Sequence, residues 1–590
     1  MHYKEHFIRI LLSLQATSEK GLVLPVTVEA LAKALYCTPR NVKLILRRLA
    51  AEGLIEWRAG VGRGNVSRLT ILRTLNETVE EYFHELLAKG RMKDAVDFIS
   101  QKDLPVLLRD KLRGLLETKL GFQVEQTESS RLDVLRVTRH RKLASLDPAF
   151  VFSASEAYFL EQLCSTLVAF DPETKRFLPS LAHAWESNRE WTVWTFYLRK
   201  GVRFHHGRTM TSRDVLHTLQ RIWEVRSPSR WQYEDIERAE PVSDYAVTFH
   251  LRRPNRFFLH FFSSVTMSVL PWDVEFSERA IVGTGPFRMA SCTDQVLVLE
   301  AFDDYFRERA WLDRVELWLI PDIGSSERQY QLPALEEVST QEEHTGNQLA
   351  YQEFGCRFLI FNFRRPGIQH HPSFRKAMRL LFDRRLLLNQ RKGSCAAPAD
   401  SFLPEKSKRA RYPETSLADA KALLDESGYA GETMRLYFCD KKEESENASW
   451  LQQRCEAIGL RLSLHSFDLH ETLTRRLEDE ADMIIAAEVL EKDVEWGLLR
   501  LFRDEGTFLH RFFHSEQHER LERHLRDFVR LPEEAERAQV IDQIEQLIRE
   551  ENWLLYGFHM QKKARYHPAL KGLSIESFGW VDFSKLWIKR

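Results

Sequence analysis

The chain has 590 residues, 43% hydrophobic and 29% charged, too long for one core and too apolar for disorder. Its formal charge is −1, yet residues 1–75 hold twelve Lys/Arg against five Asp/Glu, a net +7 that leaves −8 on the remainder. No stretch reaches the ~18–20 apolar residues of a membrane span, no signal-peptide pattern opens the chain, and the seven scattered cysteines include no CxxC pair. These features argue against a disulfide framework, a zinc site or a membrane partner, and lead to the expectation of a cytoplasmic protein.

The segment VTVEALAKALYCTPRNVKLILRRLAAEGLIEW reads as two helices joined by a tight turn. Thr27 is placed to cap the first, with Val28, Leu31, Ala32 and Leu35 at i, i+3, i+4 and i+7. Thr38 caps the second, and Pro39 takes the first helical position, where its missing N–H is harmless. Val42, Ile45, Leu46 and Leu49 then form an apolar stripe. At about 100° per residue, Arg40, Lys43, Leu44 and Arg47 gather on the opposite face, flanked by Asn41 and Arg48. Leu54–Arg58 and Val66–Leu72 read as strands around a glycine-rich turn that holds Arg63 and Asn65. The order predicts a mainly α-helical winged helix over residues 1–75, with one departure: no glycine occupies the turn at Tyr36–Cys37.

Such a helix suits the major groove of double-stranded DNA. A guanidinium can bridge guanine O6 and N7, an amide can read adenine, and Leu44 can meet a thymine methyl. Thr38 and the further Lys and Arg residues would meet phosphates, giving an affinity that falls with salt. A single basic helix is ordinarily solvated surface; the cap, the turn, the preceding helix, the hairpin and the segregated charge together point to DNA. The glycines of the hairpin do not fit GxGxxG, so nucleotide binding is not expected. Paired heads reading paired half-sites would favour a homodimer on geometric grounds.

Residues 76–131 read as a helical extension and a linker, the latter placed at Gln123–Ser130 where the pattern turns polar. From residue 132 to 590, short strands such as LDVLRV, EWTVWTFYLRKGVRF and RFLIFNF alternate with helices. Thr211 and Asp214 make a capping box before one of those helices. An α/β body of more than one lobe is expected.

Four motifs in this body resemble the oligopeptide/dipeptide/nickel class of extracellular solute-binding proteins. They are LAHAWESNREWTVWTFYLRKGVRFHHGRTMTSRDVLHTLQRI, VGTGPFRM, HPSFRKAMRLLFDRRLLL and AKALLDESGY, in that order. With LAKALYCTPRNVKLILRRL, EGLIEWRAGVGRGN and the tail GWVDFSKLW, the whole chain resembles the SgrR family of bacterial transcription regulators. The resemblance implies a winged helix fused to a bilobed periplasmic-binding-protein-like domain that senses a small-molecule effector such as a sugar, phosphosugar or peptide. A transport-associated solute receptor with a basic interaction module is the rival reading.

By position in that class, Tyr158 and Asn362 become candidate ligand contacts, and Trp496 offers an aromatic platform. Each also has a packing alternative, because a buried aromatic ring often only satisfies its polar tip. The aspartate-bearing run that meets a peptide amino terminus in this class is replaced here by IIAAEVLEKDVEW, in which Glu491 and Asp493 are loose substitutes. His205–His206 and His370–His371 lack a third ligand at a telling spacing, so no metal is expected. No cofactor motif or nucleophile with a base partner is visible, and no enzymatic activity is expected.

Overall fold

The computed structural model describes residues 3–589, apart from 16–19, 61–65, 102, 118, 127–130, 140–141, 152, 321–346, 391–395, 409–414, 469–470, 473, 492, 567–569 and 574–580. The head opens with α1 (Tyr3–Ser13), β1 (Val23–Val26), α2 (Val28–Ala34) and α3 (Pro39–Ala51), followed by β2 (Ile55–Arg58) and β3 (Ser67–Ile71). Both expected caps form: Thr27 Oγ1 accepts from the Ala30 N–H at 3.1 Å, and Thr38 Oγ1 from the Asn41 N–H at 3.4 Å. The two expected strands pair, and β1 adds a third in the order β1-β3-β2. A winged helix results.

The extension folds as α4 (Leu75–Ala88), α5 (Met92–Ile99) and α6 (Val106–Glu117). Thr74 and Glu77 start α4 with a reciprocal capping box. Lys4 in α1, only 3% exposed, reaches Glu85 at 2.5 Å and Glu81 at 3.0 Å on α4. A single apolar cluster runs from Phe7 through Leu49, Phe83 and Leu112, and continues into Val296, Trp318 and Ile320 of the body.

That continuation changes the reading of the linker. The first half of the expected linker, Gln123–Gln126, belongs to β4 (Gly121–Gln126), the edge strand of a five-stranded body sheet, and its second half, 127–130, lies outside the described residues. β4 pairs antiparallel with β5 (Arg131–Arg139), and β5 runs parallel to Arg314–Leu319. Polarity misled the sequence reading, because one side of this strand carries charge that is paired: Glu125 and Glu316 bracket Arg136 and Arg314, and the Trp318 indole N–H donates to Glu316 at 2.9 Å. Head and body therefore share a sheet face.

The body is the expected bilobed α/β assembly. A four-stranded antiparallel sheet, Ala182–Ser187 to Ile236–Ser243, is inserted within the first lobe. The helix Ser212–Glu224, which lies between two of its strands in sequence and packs against the sheet, starts with the capping box of Thr211 and Asp214. The second lobe is built on a seven-stranded sheet whose centre pairs Gly355–Phe361 with Met483–Val489. The chain then returns, so that Leu570, Val581, Phe583 and Leu586 join the core of the five-stranded sheet.

Candidate functional site

Two regions gather exposed or unsatisfied polar groups. The first is α3. Its buried stripe of Val42, Ile45, Leu46 and Leu49 packs into the head, which turns Arg40, Asn41, Lys43, Leu44, Arg47 and Arg48 outward. Thr38 is also exposed, with its hydroxyl engaged as the cap. Leu44 is 57% exposed although apolar. Among the described residues, Arg40, Lys43 and Arg47 have no ion-pair partner, whereas the Arg48 guanidinium lies over the Tyr3 ring at 5.3 Å. Arg63 and Asn65 lie outside the described residues.

The missing glycine of the turn has a structural answer. Tyr36 itself adopts φ +51°. The Cys37 N–H donates to the Ala32 carbonyl oxygen at 3.0 Å and the Tyr36 N–H to that of Lys33 at 3.3 Å. This is the Schellman arrangement, with a tyrosine at the left-handed position that glycine usually fills.

The second region lies where three parts of the body meet. Val489, at the end of a central strand of the second lobe, packs on the core of the five-stranded sheet. A few residues on, the helix Val494–Arg503 faces the four-stranded insertion. Asp493 caps it by accepting the Trp496 N–H at 3.1 Å and also contacts His260 in the helix Phe258–Ser263. Asp504 accepts from Ser229 Oγ at 2.5 Å, and Arg230 pairs with Glu505 at 2.8 Å.

Inside this junction sits a loosely held charge cluster. Arg500 Nε is 3.4 Å from Glu491, and another Arg500 nitrogen is 3.9 Å from Glu488. These are ion pairs without hydrogen-bond geometry. Burial pushes the Glu488 carboxyl up to about 7, opposed by Arg500 and reinforced by Asp504 and Glu491. Burial raises Glu491 too. The neighbouring Trp231 indole N–H is buried without a hydrogen-bond partner among the described residues, whereas the Trp496 indole lies against Glu491 and opposes the effect of burial on that carboxyl. Ala487, one residue before Glu488, is exposed although it lies in a central strand.

The three ligand candidates fare differently. Tyr158 is fully buried, and its hydroxyl donates to the Val581 carbonyl oxygen at 2.5 Å, so it pins the returning tail. Asn362 is also buried; its amide donates to the Glu478 and Ala481 carbonyl oxygens, both at 2.8 Å, and its oxygen accepts from the Arg364 N–H. Both side chains are engaged with the chain's own backbone, the packing alternative for each. Trp496 alone reaches the junction, stacked on Trp231 with ring centroids 5.7 Å apart. Sequence reasoning missed Glu488, Arg500 and Trp231, since only tertiary structure brings residue 231 to residue 496. Asp493 is occupied by its cap and by His260, leaving Glu491 the less committed of the two acids.

Residues 176–507 match the middle region of the bacterial extracellular solute-binding proteins, family 5. Residues 3–127 match the N-terminal domain described as sugar transport-related sRNA regulator. YhjP of Bacillus subtilis is 30% identical over 99% of each chain. The HTH-type transcriptional regulator SgrR of Yersinia enterocolitica is 26% identical over 96% of each chain. Among solved structures, the periplasmic binding protein DppA of Helicobacter pylori, in complex with the peptide STSA, superposes with a TM-score of 0.65 at 21% identity. That superposition covers 78% of this chain and 98% of the DppA chain, and it concerns the fold alone.

Proposed function

Since the chain belongs to the SgrR family of transcriptional regulators, with a family 5 solute-binding domain, we propose that its winged helix binds double-stranded DNA and that a small-molecule effector between the lobes changes that binding. The observation that carries the DNA reading is the outward face of α3, where Arg40, Lys43 and Arg47 stand free of ion pairs among the described residues, around an exposed Leu44. Buried or internally paired cations could not reach phosphates or base edges; these can. The reading requires the protein to work where DNA is, in the bacterial cytoplasm.

The effector would bind at the junction of Glu488, Glu491, Trp496 and Arg500. The unsatisfied Trp231 indole N–H and ion pairs without hydrogen bonds are costly in a low-dielectric setting and favour a polar ligand that completes them. Among the described residues carboxylates outnumber the guanidinium there, so a neutral sugar or a peptide suits the site better than a phosphosugar. Closure of the lobes on such a ligand would be a population shift. It would reach the head through the shared core at Trp318.

The test is fluorescence anisotropy of the full-length protein on DNA from upstream of its own gene, with excess unrelated competitor and at two salt concentrations. Salt-sensitive, competitor-resistant binding that a sugar or peptide shifts is the expected result. Absence of specific binding, with or without cell extract as a ligand source, would return the protein to the solute-receptor reading.

A further inference from the structure

Tyr36 is an aromatic residue placed against its own backbone preference, with no ring contact among the described residues. Its φ of +51° lies in the left-handed region, where a side-chain-bearing residue is disfavoured and glycine is at ease. The residue is 88% exposed, above every other large hydrophobic or aromatic residue with notable exposure among those described. Trp191 makes the contrast. It too has a positive φ, of 58°, but its ring packs on Trp194 at 5.5 Å and takes the Arg256 guanidinium at 4.9 Å. Trp191 has an internal reason for its position. Tyr36 has no such packing to offset its backbone conformation.

Position supplies the reason. Tyr36 ends the turn that leads into α3, two residues before the Thr38 cap and four before the exposed Arg40. The N-terminal end of α3 carries the positive pole of its peptide dipoles. A phenol beside it has one O–H donor and a flat ring, groups suited to a phosphate oxygen and the adjoining sugar.

We infer that Tyr36 is a DNA-backbone contact, its hydroxyl donating to a phosphate oxygen and its ring resting on the adjoining deoxyribose, so that it sets how α3 sits in the groove. This rests on the DNA-binding proposal and names a residue outside the basic face. A contact of this kind positions the helix without reading a base, so its loss weakens all sequences alike.

The experiment compares full-length wild type, Tyr36→Phe and Tyr36→Gly by thermal melting and by anisotropy on an upstream duplex and an unrelated duplex of equal length. Tyr36→Gly is expected to melt at or above the wild-type temperature, because glycine relieves the left-handed backbone, while binding both duplexes about tenfold more weakly. Tyr36→Phe is expected to lose several-fold on both. A scan with single neutral methylphosphonates adds a readout that a structural role would not move: one position should weaken wild type but leave Tyr36→Phe unchanged.

Wild-type binding with both variants equal to it would overturn the contact and leave the regulator reading intact. So would a lower melting temperature for Tyr36→Gly, since the residue would then be held for stability. Failure of wild type to bind either duplex would overturn the regulator reading and the contact together.

Discussion

Trp496 stacks on Trp231 across the boundary between the second lobe and the four-stranded insertion, with planes 24° apart and Phe261 5.4 Å from the Trp496 ring. Trp496 is fully buried and Trp231 half-buried, so the pair closes part of the junction that holds Glu491 and Arg500. Trp496→Ala should cost roughly 3–5 kcal/mol, the usual range for deleting a buried large aromatic. Trp231→Ala should cost less. The double variant should recover about 1 kcal/mol of the summed losses, the scale of an aromatic pair beyond its buried area. Melting curves for the four proteins test this. Strict additivity would mean that the rings meet without stabilising each other.

The parts of the structure that were legible in the sequence are those governed by neighbours a few residues away. Thr38 with Pro39, the stripe from Val42 to Leu49, and the Thr211–Asp214 capping box all follow from helical periodicity and local hydrogen bonds. The pairing of β1 with β3 was not legible, because Val23 meets Thr70 across an intervening helix-turn-helix. Nor was β4, whose acidic Glu125 looks like linker chemistry until Arg136 and Arg314 are placed beside it. Tyr158 and Asn362 were nominated by position along the chain, yet their roles are set by partners at residues 581 and 478–481. The effector junction depends wholly on such distant pairings.

Trp318, together with Val296 and Ile320, carries the apolar cluster of the head and helical extension onto the five-stranded sheet. It is 6% exposed, joins the apolar cluster of the head, and donates to Glu316 beneath it. Trp318→Ala should destabilise the extension by about 3 kcal/mol or more and raise hydrogen exchange across α5 and α6. Effector binding and DNA binding should each survive, while the shift of one by the other shrinks, because coupling requires a shared element that both sites bias. Unchanged coupling would place the route elsewhere.

Glu488 makes the stability depend on pH. Its folded carboxyl is raised to about 7 from the ordinary 4.5, so between these values the folded state holds a proton that the unfolded state releases. Folding therefore loses stability as pH rises from 4.5 to 7, by up to ~3 kcal/mol from this group. Below 4.5 both states are protonated and the penalty vanishes. Glu488→Gln should flatten that limb of the profile, measured as melting temperature against pH without ligand. A wild-type slope retained in the variant would assign it to another group.

The basic residues of α3 should separate by their surroundings. Arg40 and Arg47 are exposed and unpaired among the described residues. If the side chain meets a phosphate, Arg40→Ala or Arg47→Ala should each reduce the slope of log affinity against log salt by about 1. A side chain that reads a base would instead leave the slope nearly unchanged when removed, and narrow the gap between specific and unrelated DNA. Arg48 lies over the Tyr3 ring, and its removal should cost about 0.5–1 kcal/mol of stability with the smaller change in salt slope. Anisotropy titrations at four salt concentrations, read beside melting temperatures, distinguish these outcomes. An Arg48→Ala slope change as large as that of Arg47→Ala would show that the stacked guanidinium leaves Tyr3 to join the DNA contact.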